Sequence, residues 1–235
     1  MTGLPEQINP ENSQKTRFSK FLVWRDHKKY TFNLIAIIVF LILLPFFSNH
    51  PASQYIVYFL IIFILMSAIF TISGNRLYLI VGSFLAALSI IFNVLFFLTG
   101  EPPFYQTSII LPFFFFGFVT VIIFSSIIRK HKINFDIVAG AISVYFLIGI
   151  VWAFAIMVIE LLVPLSFTLP GIKANQLRFL SDFISYSFSF LTTTGNYDVA
   201  AATPFARMIM MFEMITGTLY IAILISWLVG KLTKN

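Results

Sequence analysis

The residues richest in chemistry are Thr192-Thr193-Thr194-Gly195-Asn196-Tyr197-Asp198, with Glu213 and Gly217 in the apolar run that follows. Three adjacent hydroxyls, a glycine and a carboxylate stand between long apolar segments. Non-helical backbone at membrane depth persists only where protein buries it or where it lines a watery path. Hydroxyl and carbonyl oxygens suit the passage of a cation, not the making of bonds. Catalytic sets are missing: no Ser/His/Asp constellation, no His-Glu-x-x-His and no intramembrane aspartate pair appears. With no cysteine, the chain has no thiol nucleophile, disulfide or thiolate metal site. His27, His50 and His131 are isolated and do not converge as metal ligands must. Neither an enzyme nor a cofactor is expected, beyond permeant cations.

These residues need a membrane around them, and the composition supplies one. The chain is 59% hydrophobic and only 10% charged, whereas soluble domains are about a quarter charged. The net charge of +6 does not point to nucleic acid, because the basic residues flank apolar runs where they orient helices. A span needs about 20 apolar residues. Six segments qualify: 30–47, 55–72, 77–98, 107–128, 136–163 and 205–230. A seventh, 175–191, is shorter and carries Arg178, Asp182 and several serines. It fits a re-entrant helix better than a lipid-facing span. Residues 1–29 are polar and basic with no small-residue cleavage site, so the first span is expected to direct insertion.

Orientation follows from Lys and Arg. Of the fifteen basic residues, all but Lys173, Arg178 and Arg207 fall on one side if the N-terminus is cytoplasmic. The bias predicts six spans with both termini inside, and it sets the threonine loop in the outer half of the membrane. No repeat of the kind common in secondary transporters is visible.

The segment 188–198 and its flanks resemble the pore of the potassium-channel family, whose usual run is T-T-V-G-Y-G-D. Thr203-Pro204-Phe205-Ala206-Arg207-Met208 and Glu213-x3-Gly217-x2-Tyr220 look like the second pore helix of small bacterial members, and Glu160-Leu161-Leu162-Val163-Pro164 like the outer end of the first. The resemblance covers about 136–231. It implies an all-α membrane protein of six transmembrane helices plus a re-entrant pore helix and filter loop, assembled as a homotetramer in the lipid bilayer. Residues 1–29 would be a cytoplasmic arm, 30–132 a four-helix peripheral domain and 133–235 the pore domain. No nucleic acid and no soluble ligand-binding domain is expected. In that scheme Thr193, Thr194, Gly195, Asn196 and Tyr197 form the filter, with Thr193 offering hydroxyl and carbonyl oxygens. Thr192 and Asp198 support it, Asp198 also charging the outer mouth. Glu213 is expected behind the filter, paired with Arg207, Thr192 or a pore-helix hydroxyl. Gly217 is a gating hinge or a close-packing site.

The expected function is a passive cation channel conducting potassium and weakly selective against sodium, in a bacterial inner membrane. The fourth apolar segment has no Lys or Arg, so it cannot act as a voltage sensor. Two other classes stay open: a non-conducting scaffold or regulatory subunit with a degenerate pore, and a secondary transporter. Asn196 stands where the family has Tyr, and Tyr197 where it has a second Gly. Gly takes positive φ without steric cost, whereas a bulky residue there is strained by about 1–3 kcal/mol. The double change Asn196→Tyr with Tyr197→Gly should therefore shift the bi-ionic reversal potential toward potassium. An unmodified protein that already rejects sodium strongly would contradict this reading of the two positions.

Overall fold

The computed structural model describes residues 28–44, 46, 53–130, 133–168, 180–195 and 200–232, with the backbone alone at 53–58. Seven helices form among them: α1 (28–44), α2 (Ser53–Ile72), α3 (Arg76–Thr99), α4 (Pro102–Ile128), α5 (Phe135–Leu162), α6 (Leu180–Leu191) and α7 (Pro204–Leu232). Two-residue strands β1 (Phe167–Thr168) and β2 (Ala200–Ala201) pair antiparallel. Four helices, α3, α4, α5 and α7, are long and apolar enough to cross a membrane. The chain is thus a helical integral membrane protein. The described residues of the six apolar runs read from the sequence fall on helices, apart from Val163 just past the end of α5, as does the C-terminal part of the seventh.

Helix ends follow local chemistry. The Asn75 side chain accepts from the Leu77 N–H and opens α3; the Asn134 side chain accepts from the Ile137 N–H and opens α5. Each satisfies a peptide donor that has no partner inside its helix. Gly100 takes φ 68° and closes α3 through its N–H to the Phe96 carbonyl, a left-handed cap that Gly enters freely. α4 begins at Pro102, before the start read at Thr107, because proline at the first helical turns needs no N–H partner and has its φ preset.

The core is built from buried stripes at helical spacing. Tyr30, Ile37, Phe40 and Leu44 line α1; Phe116, Val119, Ile123 and Ile127 line α4. α4 packs between α3 and α5, and Phe116 stacks on Phe154 with centroids 5.8 Å apart. Polar ties fix one end of the bundle. The Thr31 N–H and hydroxyl both donate to Asp136 Oδ1 at 2.8 Å, and the Tyr30 and Ser126 hydroxyls meet at 2.7 Å. Asp136 thereby serves the first turn of α1 as well as its own.

At the opposite end, the turn after α5 is held by a carboxylate. Glu160 Oε1 accepts from the Leu165 N–H at 3.0 Å and Oε2 from the Phe167 N–H at 3.1 Å. This steadies Leu165 at φ 65° and presents β1 to β2, with Phe167 opposite Ala201. The β pair therefore links the end of α5 to the start of α7, outside the helices between which α6 inserts.

Candidate functional site

The site grows from α6, a short helix held between α5 and α7. Ile184, Ser187 and Leu191 follow a 3–4 spacing, and Ser181, Phe183 and Tyr186 beside that stripe are buried as well, so one broad face is occupied. Two glycines let it enter. A methyl built on Gly149 would stand 2.7 Å from the Phe188 ring, and one on Gly217 would overlap the Leu191 carbonyl oxygen. Gly149 lies near the middle of α5 and Gly217 near the middle of α7, each roughly 20 Å from its helix ends. The C-terminal end of α6 is therefore level with the centres of two spanning helices. The chain then returns to β2, at the end where β1 lies. α6 and its loop thus enter and leave at the same end of the bundle.

Helix ends leave carbonyls without intrahelical partners, and here the threonines take them. The Thr192 N–H and hydroxyl donate to the Phe188 carbonyl at 3.0 and 2.7 Å. The Thr193 N–H donates to Phe190 O at 2.9 Å, and the Gly195 N–H and Thr194 hydroxyl to Ser189 O at 3.0 and 3.1 Å. Across a trans peptide the N–H and the preceding carbonyl point in opposite directions. Because the 193 and 195 N–H groups turn back onto α6, the Thr192 and Thr194 carbonyls face away from it. Among the described residues neither accepts a hydrogen bond, and Thr192–Gly195 are all exposed. Thr193 holds φ 60° and Gly195 φ 68°. For β-branched Thr193 this is a strained conformation, and its hydroxyl has no partner among the described residues.

Behind the loop lies Glu213, fully buried on α7. Of its three expected partners, a pore-helix hydroxyl is the one found: Ser187. The Ser187 hydroxyl lies 2.5 Å from Glu213 Oε1 and 2.7 Å from the Gly149 carbonyl oxygen. One hydroxyl hydrogen serves one acceptor, so both contacts become hydrogen bonds when the Glu213 carboxyl supplies a second proton. α5, α6 and α7 are thereby joined at one point. Glu213 Oε2 and the Tyr186 hydroxyl are buried without a hydrogen-bond partner. Lower on α7, the Tyr220 hydroxyl donates to the Ala141 carbonyl at 2.6 Å.

The structure thus brings together Thr192, Thr193, Thr194, Gly195, Glu213 and Gly217. Asn196, Tyr197 and Asp198 lie outside the described residues. The sequence did not single out Ser187 or Gly149. Ser187 is one of four serines in α6, two of which, Ser181 and Ser187, are buried, and Ser187 shares a stripe with Ile184 and Leu191. Comparisons with known protein families, curated proteins and solved structures found no match.

Two outcomes are expected. Gly217→Ala should destabilise the fold by about 1–3 kcal/mol through overpacking against backbone, whereas Gly230→Ala, whose added methyl meets open space, should not. Equal thermal midpoints of the two variants in detergent would favour a hinge role for Gly217. Glu213→Gln keeps a donor for Ser187 and should stay near the native midpoint. Glu213→Ala leaves a cavity and a lost bond, and should cost about 2–4 kcal/mol. A Gln variant as unstable as the Ala variant would show that the second acid oxygen is required.

Proposed function

We propose that the chain is the subunit of a passive, voltage-insensitive cation channel, with four copies around one axis. The observation that carries this reading is the exposed loop Thr192–Gly195 at mid-depth, with two carbonyls turned away from α6 and without partners among the described residues. Bare peptide oxygens facing hydrocarbon cost several kcal/mol each. A water-filled axis removes that penalty, and a partly dehydrated cation can take the oxygens as ligands. The C-terminal end of α6, roughly −0.5 charge, aims at the same place and favours a cation over an anion.

α7 supports the same reading. It meets its own chain through one narrow stripe, Ala206, Met210, Glu213, Gly217 and Tyr220, at alternating spacings of four and three. Its other faces, including Phe212, Leu219 and Ile223, are exposed. A helix buried along one stripe has faces to give to neighbouring copies and to an axial path. In this arrangement α1 and α2 span as well, and the basic residues at the α1, α3, α4 and α7 ends near Asp136 favour the cytoplasmic side for that end of the bundle. Potassium is the leading permeant ion, with sodium second.

Purified protein in planar bilayers tests this. Potassium currents are expected, with conductance nearly flat in voltage: α4 has no Lys or Arg, and each missing gating charge removes about 2.3 kcal/mol per 100 mV. A steep conductance–voltage curve in symmetric salt would contradict the account of α4. Absence of any cation flux from a properly inserted tetramer would favour the scaffold reading.

A further inference from the structure

We propose that the cytoplasmic end of the α1–α4 bundle is a binding site for an anionic phospholipid, its phosphate held by Arg129 and Lys130. The proposal rests on a cavity of about 650 Å³ where the start of α1, the end of α2, the start of α3 and the end of α4 converge. Its side depends on the orientation given above; its chemistry does not.

Among the described residues three cationic side chains line the cavity and no carboxylate does. Asp136, on the first turn of α5, is taken up by the Thr31 N–H and hydroxyl. Lys29 lies half-buried with its ammonium 5.1 Å from the Tyr30 ring centroid, while Arg129 and Lys130 are exposed. Hydrogen-bonding groups stand beside them: Asn75, Ser125 and Ser126 share the wall. Clustered cations with donor side chains recognise a phosphate group. A free phosphate and a lipid headgroup share that chemistry, and the far wall decides between them. Phe118, Val121 and Ile122 continue the cavity about two to three turns up α4, away from the charged rim. A soluble anion has no use for that apolar surface, whereas the first carbons of an acyl chain do. Basic pockets between spanning helices at the interface suit phospholipid headgroups for this reason.

One residue of the cavity rim also reaches the other half of the molecule. The Lys231 ammonium, 4.7 Å from the Trp227 ring centroid, donates to the Lys130 carbonyl. A headgroup on Lys130 therefore sits at the joint between α4 and the last turn of α7.

The test is binding by native mass spectrometry of the full chain, titrated with dioleoylphosphatidylglycerol or dioleoylphosphatidylcholine. The anionic lipid should bind with a preferred site on each chain and the zwitterionic one should not. Replacing Arg129→Gln together with Lys130→Gln should weaken the anionic lipid on the order of thirtyfold, from two charges near the surface. The charge-keeping pair Arg129→Lys with Lys130→Arg should restore it. Equal binding of the two lipids to the native chain would overturn the proposal without recourse to any variant. So would undiminished binding by the glutamine pair, or displacement of the lipid by excess inorganic phosphate, which would make the site one for soluble anions.

Discussion

A helix that stops level with the middle of membrane-length neighbours must answer for its last carbonyls, and the C-terminal half of this protein is organised around that demand. α6 ends against the middle of α7. In water its terminal carbonyls would be hydrated; at this depth they need partners in the chain. Thr192, Thr194 and the 192, 193 and 195 N–H groups meet the demand locally. The result turns other carbonyls outward, so satisfying the helix end exposes the loop. Gly217 and Gly149 are the steric condition for this, because any side chain at either would hold α6 away. The contact of Ser187 with both Gly149 and Glu213 then fixes the depth at which α6 stops.

The positions of the helices were legible because the bilayer imposes one strong rule. Twenty apolar residues in a row leave little choice but a helix, and the runs at 30–47, 77–98, 136–163 and 205–230 each fall on one. Boundaries were less legible: α4 starts at Pro102, where composition is mixed but proline's fixed φ initiates a helix. The Ser187 contacts were hidden for another reason. Hydroxyls in a serine-rich segment look alike in sequence, and only packing against α5 and α7 makes one of them structural. The turn at Leu165 was equally silent, since Glu160 gives no local hint that it will accept two peptide N–H groups five and seven residues on. The threonines gave their presence away but not their behaviour. Thr192 and Thr194 use their hydroxyls on α6, leaving peptide oxygens as the groups that face outward.

The two ends of the bundle divide the work. One end carries Asp136, Tyr30, Ser126 and most of the described basic residues, and ties α1, α4, α5 and α7 by hydrogen bonds. The other carries Glu160, the β pair and the entry to the loop. Between them the packing is almost wholly apolar, with Glu213 as the buried acid. A polar group placed there by chance would be costly; its contact with Ser187 explains why it is tolerated and what it holds.

The most direct test of the central claim asks whether water reaches the loop at mid-depth. The native chain has no cysteine, so a single Thr193→Cys substitution gives an unambiguous reporter. A membrane-impermeant cationic methanethiosulfonate, applied to sealed proteoliposomes, should modify this thiol, and high potassium should slow the reaction by occupying the same oxygens. A cysteine in place of Ile215, exposed on α7 at nearby depth, serves as the comparison for lipid-facing reactivity. Modification of Thr193→Cys only after detergent is added would contradict a watery path at the loop, and with it the account given for why α6 ends where it does.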